Sequence, residues 1–370
     1  MRVLLCGGGT GGHVMPAIAI GEIIQRGFEG AVIAFAGRAG GDENKAYEAS
    51  GHTLYTVDIC GLRRSLSLSN VKSVFKIIKS GRIARGVIED FKPDVIIGTG
   101  GYVCYPFIRQ GQRLGVHTVI HESNVSPGLV TRMLGKKCDK VMLNLDGTRK
   151  HLKSIENTVV VGNPTRTAFG AVSRIAARRR LGIRDNEMLI VSFGGSLGAG
   201  VLNNVLGEVM SKYTAEGEAI RYVHSTGRTH YDEMKKSFPE LFGSVKNVKI
   251  LPYIDDMPLY LTAADLAITR SGAITVSELC RSGTPSILIP SPNVTANHQY
   301  ANAAYIRDLG AATLIEENEL NAKALKREID RIIKDGELLK KMRRRARSAY
   351  KKDSESAVLE VISKVVGRER

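Results

Sequence analysis

Tryptophan is absent from the 370 residues, and aromatic residues make up only 6% of them. A surface that stacks nucleic-acid bases needs interleaved aromatic side chains, so the formal charge of +16 does not by itself imply a nucleic-acid partner, and none is expected. The five cysteines (Cys6, Cys60, Cys104, Cys138 and Cys280) are odd in number and scattered, with no CxxC spacing. That pattern argues against a disulfide framework or a zinc site and reads as reduced, buried, small apolar residues. The longest charge-free stretch, 282–306, holds three prolines and many polar groups, so it is not the ~20-residue apolar run a membrane-spanning helix needs. Met1-Arg2 runs directly into a strand-like stretch without a basic-then-apolar leader, which predicts a cytoplasmic location.

Several reaction motifs are missing as well. No GxxxxGK[ST] is present, which removes a P-loop nucleotidase, and no two aspartates are separated by one residue. His121-Glu122 is followed by Ser-Asn-Val, so there is no HExxH. No metal and no cofactor are therefore expected, and any departing diphosphate would have to be stabilised by helix dipoles and hydrogen-bond donors.

With 43% hydrophobic residues, the chain can fill two cores, since single cores seldom grow past ~250 residues. Short β-branched runs alternate with helical patterns at 2–6, 31–36, 94–98, 117–121 and 140–143. After the breaker Gly162-Asn163-Pro164 the pattern restarts at 188–193, 219–224, 248–251, 266–269, 286–289 and 312–315. Strands separated by helix-length segments predict an α/β fold with two doubly wound parallel sheets. From Asn321 the pattern is helical, broken at Asp335-Gly336 and near Asp353, and the tail is long enough to pack back on the first domain.

Both halves open with a strand that leads into a glycine loop and a helix, Gly7 to Gly12 in the first and Gly194 to Gly198 in the second. Glycine lets the backbone approach a ligand, and the helix start presents unpaired N–H groups, so each loop can hold a diphosphate. Gly7, Gly9 and Gly12 also satisfy GxGxxG. The second strand, however, ends in Gly37-Arg38 with no acidic residue, which leaves only a reading as an NADP-dependent oxidoreductase with Arg38 on the extra phosphate.

His13 follows the first loop at a helix start, either beside a ligand or capping its own backbone. Thr275-x-x-Glu278 is either a capping box or a carboxylate at the sheet edge suited to two ribose hydroxyls. His121-Glu122-Ser123-Asn124 and Asn297-His298-Gln299 are polar clusters that follow strands, and each can serve a sugar or merely cap a helix.

The charge is concentrated in two segments. Residues 62–92 carry eight Lys/Arg against two Asp/Glu, and residues 321–370 carry sixteen against eight. In the first, cations alternate with Val71, Val74, Phe75, Ile77 and Ile78, the pattern either of an ordinary amphipathic helix or of a patch that docks on an anionic leaflet.

In order along the chain, Gly8-Gly9-Thr10-Gly11-Gly12-His13, Gly98-Thr99-Gly100-Gly101-Tyr102, His121-Glu122-Ser123-Asn124, Gly162-Asn163-Pro164-Thr165-Arg166, Gly194-Gly195-Ser196-Leu197-Gly198-Ala199, Tyr253-Ile254-Asp255-Asp256-Met257, Ser271 through Glu278 and His298-Gln299 closely resemble the MurG family. That family transfers N-acetylglucosamine from UDP-N-acetylglucosamine to a lipid-linked muramyl-pentapeptide. The resemblance implies a GT-B fold, two Rossmann-like domains facing across a cleft. The first, 1–162, would bind the acceptor and associate with the membrane, with helix 353–370 packing back on it, and the second, 163–352, would bind UDP-GlcNAc.

By matching position, the resemblance puts the donor against Thr10, Gly11, Gly12, Asn124, Arg166, Ser196, Ile254, Ala273, Ile274, Thr275, Val276, Ser277, Glu278 and Gln299. Glu278 would take the ribose hydroxyls, Ser196 and Arg166 the diphosphate region, and Ile254 the uracil. Ser123 and His298 depart from the glutamines frequent in the family. The resemblance also favours the docking reading of segment 62–85 and a peripheral place on the cytoplasmic face of the membrane, while leaving protein partners in a cell-wall complex unspecified. His13 is the expected general base, because an imidazole titrates near neutrality at ~6.5, with Glu122 in reserve. A related glycolipid transferase, with the same fold and another acceptor, is the nearest alternative.

Overall fold

The structure is a computed structural model that describes the chain except residues 10, 42–43, 60–68, 165–168, 170–171, 196–197, 217–219, 244, 246, 295–296 and 368–370; the side chains of 69–77 and 215–216 also lie outside the description. The chain divides into two compact units, Met1–Pro164 with Lys351–Arg370, and Thr165–Tyr350.

The first unit runs β1 (Arg2–Gly7), α1 (Gly11–Gly27), β2 (Val32–Arg38), α2 (Asn44–Ala49), β3 (Thr53–Val57), α3 (Ser69–Phe91), β4 (Val95–Gly100) and α4 (Cys104–Leu114). It continues with β5 (His117–Glu122), α5 (Leu129–Leu134), β6 (Lys140–Leu143) and β7 (Thr158–Val160). The second unit runs α6 (Arg174–Arg180), β8 (Met188–Phe193), α7 (Gly200–Glu216), β9 (Ile220–Ser225), α8 (Tyr231–Ser237), β10 (Val248–Leu251) and α9 (Met257–Ala263). Then come β11 (Leu266–Thr269), α10 (Ala273–Ser282), β12 (Ser286–Leu288), α11 (His298–Asp308), β13 (Ala312–Leu314), α12 (Ala322–Ile333) and α13 (Gly336–Ala349), and α14 (Ser354–Val366) returns to the first unit.

Every strand pairing is parallel, in the orders β3-β2-β1-β4-β5-β6-β7 and β10-β9-β8-β11-β12-β13. Both orders reverse direction once, between β1 and β4 and between β8 and β11, and a crevice opens at the carboxyl ends of the strands at such a switch point. The glycine loops predicted from sequence begin at those two places.

The two-residue period of each strand divides its side chains between two cores. Val3 and Leu5 face α1 and α14, among Ile20, Ile24, Phe28, Val358 and Ile362. Leu4 and Cys6 face the other way, toward Ala84 and Ile88 of α3, Phe107 and Ile108 of α4 and Val130 of α5. In the second unit Leu189, Val191 and Phe193 pack against α9, α10 and α11, while Ile190 faces α7 and α12. Burial on both faces is why these strands read as continuous apolar runs. Cys6, Cys104, Cys138 and Cys280 are free and buried, and burial pushes Cys138 up to about 11 and Cys280 to about 12, so neither is a thiolate at neutral pH. Cys60 lies outside the described residues.

Asp265, directly before β11, ties the lower edge of the second sheet to α6. Its carboxylate accepts from Leu189 N at 2.9 Å and Arg178 Nη1 at 2.9 Å and pairs with Arg174. Arg178 is 5% exposed and also donates to the carbonyls of Arg184 and Glu187. Removing one partner of such a buried set leaves an uncompensated charge, so Asp265→Ala is expected to cost about 3–5 kcal/mol of stability. Urea unfolding measures this, and a loss below about 1 kcal/mol would show that the cluster is solvent-compensated.

His224 on β9 is fully buried with Nδ1 2.9 Å from Ser192 Oγ, and burial pushes its pKa from 6.5 down to about 4. The unfolded imidazole takes up a proton below about pH 6.5 and the folded one only near 4, so stability is unaffected above 6.5 and falls between those values. By pH 5 the loss is about 2 kcal/mol. His224→Gln should therefore lose about that much less stability than the parent between pH 7 and pH 5, and equal losses would disprove the assignment.

Candidate active site

The first unit's switch point is closed by two glycine loops packed backbone to backbone. Gly101 has φ +81°, and a Cβ there would lie 2.0 Å from the carbonyl oxygen of Gly8. Gly8 N also donates to Gly100 O at 3.4 Å. Thr99 Oγ1 donates to His13 O at 2.7 Å, and Tyr47 OH donates to Gly7 O at 3.1 Å, so the loop ahead of α1 is held from both sides.

This frame orients His13. Its Nδ1 lies 3.0 Å from the Gly8 carbonyl, which can only accept, so Nδ1 carries the proton in the neutral ring. Nε2 is then the nitrogen with the basic lone pair. The ring rests on Gly100, where a Cβ would stand 2.4 Å from His13 Cδ2. Gly11 and Gly12 form the first turn of α1 and Thr10 lies outside the described residues. Met15 and Tyr102, 46% and 41% exposed, belong to the same two segments.

The cluster after β5 is built around Glu122. This buried carboxylate accepts from Asn124 N (3.1 Å), Asn124 Nδ2 (3.3 Å), Gly128 N (2.9 Å) and Thr131 Oγ1 (2.7 Å). With four donors on two oxygens, it organises the turn into α5 and the Asn124 side chain. His121 is also buried; its Nε2 donates to Gly162 O at 3.0 Å, and burial lowers its pKa, so the ring stays neutral. Asn144 takes Asn163 N on Oδ1 and donates to Ser123 O, which fixes the end of this unit's sheet.

In the second unit a similar backbone contact joins the loops after β8 and β9, beside the switch point. Gly198 has φ +81° and sits so close to Thr226 that a Cβ would be 2.0 Å from its carbonyl oxygen, while Asn203 Nδ2 donates to that oxygen at 2.9 Å. Ser196 and Arg166 lie outside the described residues. Ile254 is buried after β10, and beside it Tyr253 is 38% exposed with the Arg228 guanidinium 5.5 Å from its ring centroid.

α10 begins at Ala273 behind the N-cap Gly272. Thr275 is thus the third helical residue and Glu278 the sixth, which removes the capping-box alternative for Glu278. Ala273, Ile274 and Thr275 form a half-buried first turn, followed by buried Val276, Ser277 and Glu278. Gln299, in the first turn of α11, accepts from Ser291 N on Oε1 at 2.9 Å, and its main-chain carbonyl accepts from Ser271 Oγ at 2.9 Å.

Each unit therefore gathers its own candidates at the carboxyl edge of its sheet: Gly11, Gly12, His13 and Asn124 in the first, Ile254, Ala273 to Glu278 and Gln299 in the second. Among the described residues no three His, Cys, Asp or Glu side chains are grouped as metal ligands would be. Sequence reading did not single out Arg270 or Arg228, which stand beside these candidates. A cation at the end of the apolar run 266–269, ahead of Ser271-Gly272, was the available signal for the first.

Comparison with known proteins agrees with this fold. The glycosyltransferase family 28 N-terminal domain matches residues 3–143 and the family 28 C-terminal domain matches 189–358. A UDP-N-acetylglucosamine--N-acetylmuramyl-(pentapeptide) pyrophosphoryl-undecaprenol N-acetylglucosamine transferase of Acetivibrio thermocellus is 37% identical over 99% of this chain and 98% of its own. One of the same name from Alkaliphilus metalliredigens is 38% identical over 99% and 100%. The crystal structure of Acinetobacter baumannii MurG superposes with a TM-score of 0.79 at 26% identity, covering 98% of this chain and 99% of that one. The oxidoreductase reading of Gly7, Gly9, Gly12 and Arg38 is set aside by these matches. Two parallel Rossmann-like sheets, glycine loops at both switch points and likeness over the whole length make this chain a member of the MurG family of glycosyltransferases, with its GT-B fold.

Proposed function

We propose that this chain transfers N-acetylglucosamine from UDP-GlcNAc to the 4-hydroxyl of undecaprenyl-pyrophosphoryl-MurNAc-pentapeptide (lipid I), giving β-1,4-linked lipid II and UDP in peptidoglycan biosynthesis. The observation that carries the reading is 37–38% identity, over 99% of the chain, to enzymes named for that transfer. In a single inverting displacement the acceptor oxygen forms its bond to the anomeric carbon as the bond to the β-phosphate breaks. The electron pair leaves with UDP, and the hydroxyl proton goes to His13 Nε2.

The donor is assigned to Thr10, Gly11, Gly12, Asn124, Arg166, Ser196, Ile254, Ala273 to Glu278 and Gln299. Glu278 accepts the ribose hydroxyls, and the start of α10 supplies N–H groups and the positive end of its dipole to the diphosphate. Glu122 is the weaker candidate base, because its oxygens already accept four hydrogen bonds. His13→Ala should lower kcat by about 10²- to 10⁴-fold with little change in KM for UDP-GlcNAc. Glu278→Ala should instead raise that KM by about tenfold or more, as lost hydrogen bonds to a charged group imply. Radiolabel transfer to a short-chain lipid I analogue, with glycolipid acceptors as controls, measures both; near-normal kcat in His13→Ala would remove it as the base.

We also place the enzyme peripherally on the cytoplasmic face of the membrane. No helix among the described residues is long and apolar enough to cross one. Residues 62–68 of the basic-apolar segment lie outside the described residues, but on α3 Ile78 is 52% exposed beside exposed Lys79 and Arg82. α4 packs beside α3 and α5 beside α4. On α5, Leu129 and Met133 are 53% and 54% exposed, one turn apart, with exposed Arg132, Lys136 and Lys137 around them. Apolar side chains ringed by cations suit an anionic leaflet. The double change Leu129→Glu and Met133→Glu should weaken co-sedimentation with phosphatidylglycerol-containing vesicles by about tenfold. Unchanged binding would exclude this face.

A further inference from the structure

Arg270 stands between β11 and the Ser271-Gly272 turn, and its guanidinium joins parts of the chain far apart in sequence. Nη1 donates to the carbonyls of Ile289 (3.2 Å) and Pro290 (3.3 Å), at the end of β12. Nη2 pairs with Glu317, which follows β13. The two side chains are only 12% and 18% exposed. A planar fork that serves two carbonyls and a carboxylate together is something a lysine ammonium reproduces poorly.

The neighbouring bonds show what this fork holds. Ser271 Oγ donates to Gln299 O at 2.9 Å, Asn302 Nδ2 donates to Ser271 O at 3.1 Å, and Ser291 N donates to Gln299 Oε1 at 2.9 Å. The turn before α10 and the loop between β12 and α11 are thus one hydrogen-bonded body, with Arg270 and Glu317 at its base. Residues 273–278 leave that body on one side and Gln299 belongs to it on the other.

We propose that Arg270 and Glu317 are a positioning pair that sets Glu278 and Gln299 for the nucleotide sugar before it binds. This rests on the assignment of those residues to the donor in the preceding subsection. Without the fork the Ile289 and Pro290 carbonyls lose a donor and Glu317 is left part-buried with no cation. The two loops then sample more conformers, and the donor must order them on binding. That cost falls on affinity, because an ordering step completed in the bound complex does not weaken the transition state further.

The test compares full-length Arg270→Met, Arg270→Lys and Glu317→Gln with the parent. It measures kcat and KM for UDP-GlcNAc, UDP affinity by calorimetry, and thermal stability. Arg270→Met should raise both KM and the UDP Kd by about tenfold, with kcat within about threefold of the parent. Glu317→Gln should move both in the same direction by less, and Arg270→Lys should fall between Arg270→Met and the parent. Lower thermal stability with unchanged KM and UDP affinity would show a merely structural ion pair and overturn the proposal, and so would a fall in kcat at constant KM. Should Arg270→Met fail to fold, the other two variants decide on the same criteria. A parent enzyme that bound no UDP would sink the donor assignment itself, whereas a parent that bound UDP no better than the variants would sink this inference alone.

Discussion

Two backbone contacts, Gly101 on Gly8 and Gly198 on Thr226, set the shape of everything built at the mouths of the two sheets. In each, an added Cβ would stand 2.0 Å from a carbonyl oxygen, and φ is +81°, so glycine is required both by space and by conformation. Each contact brings the loop after one strand against the loop after its neighbour, β1 against β4 across the reversal of strand order in the first sheet and β8 against β9 beside it in the second. In the first unit it fixes the Gly8 carbonyl, which fixes the proton on His13 Nδ1, which leaves Nε2 as the basic atom. A main-chain approach thus determines a side-chain tautomer.

The cations of the C-terminal segment have a related logic. Arg343 donates to the carbonyls of Ala264 and Gly283, at the C-terminal ends of α9 and α10. Arg345 and Arg347 lie over Gly310 and Gly283, where a Cβ would meet their side chains. Helix ends of this kind carry partial negative charge, so guanidinium groups satisfy both the open carbonyls and the dipoles. Part of what reads in sequence as a solvated basic helix is therefore structural charge. Burial and the neighbouring Arg174, in that order, lower the Arg343 pKa to about 10, yet it remains a cation at neutral pH.

Most strands were legible because burial on both faces makes them unbroken apolar runs. β3 was not: Thr53, Leu54, Tyr55 and Thr56 are at least partly accessible at the sheet edge, so the residues mix polar and apolar types without a clear period. The breaks at Asp335 and Asp353 were readable because aspartate commonly precedes a helix, and both stand at N-caps. Glu278 was ambiguous for a reason of register. Sequence cannot say whether a helix starts at Thr275 or three residues earlier, and the two choices make the same carboxylate a cap or a binding group. The surroundings of Glu122 were not legible for a different reason, since nothing in the sequence reveals that Gly128 N and Thr131 Oγ1 fold back onto it.

The two carboxylates show why residue type alone underdetermines chemistry. Both are buried and both lie at the carboxyl edge of a parallel sheet. Glu122 lies on the last residue of its strand, where the chain must still turn, and the turn's own donors converge on it. Glu278 sits in the second turn of an established helix, whose backbone is already committed to its i−4 partners. A carboxylate in an irregular turn is claimed by that turn's own donors, whereas the backbone of a formed helix makes its hydrogen bonds within the helix. The same distinction applies to the cation at Arg270, which lies at a strand end where three segments meet and is held by main-chain carbonyls before any ligand arrives.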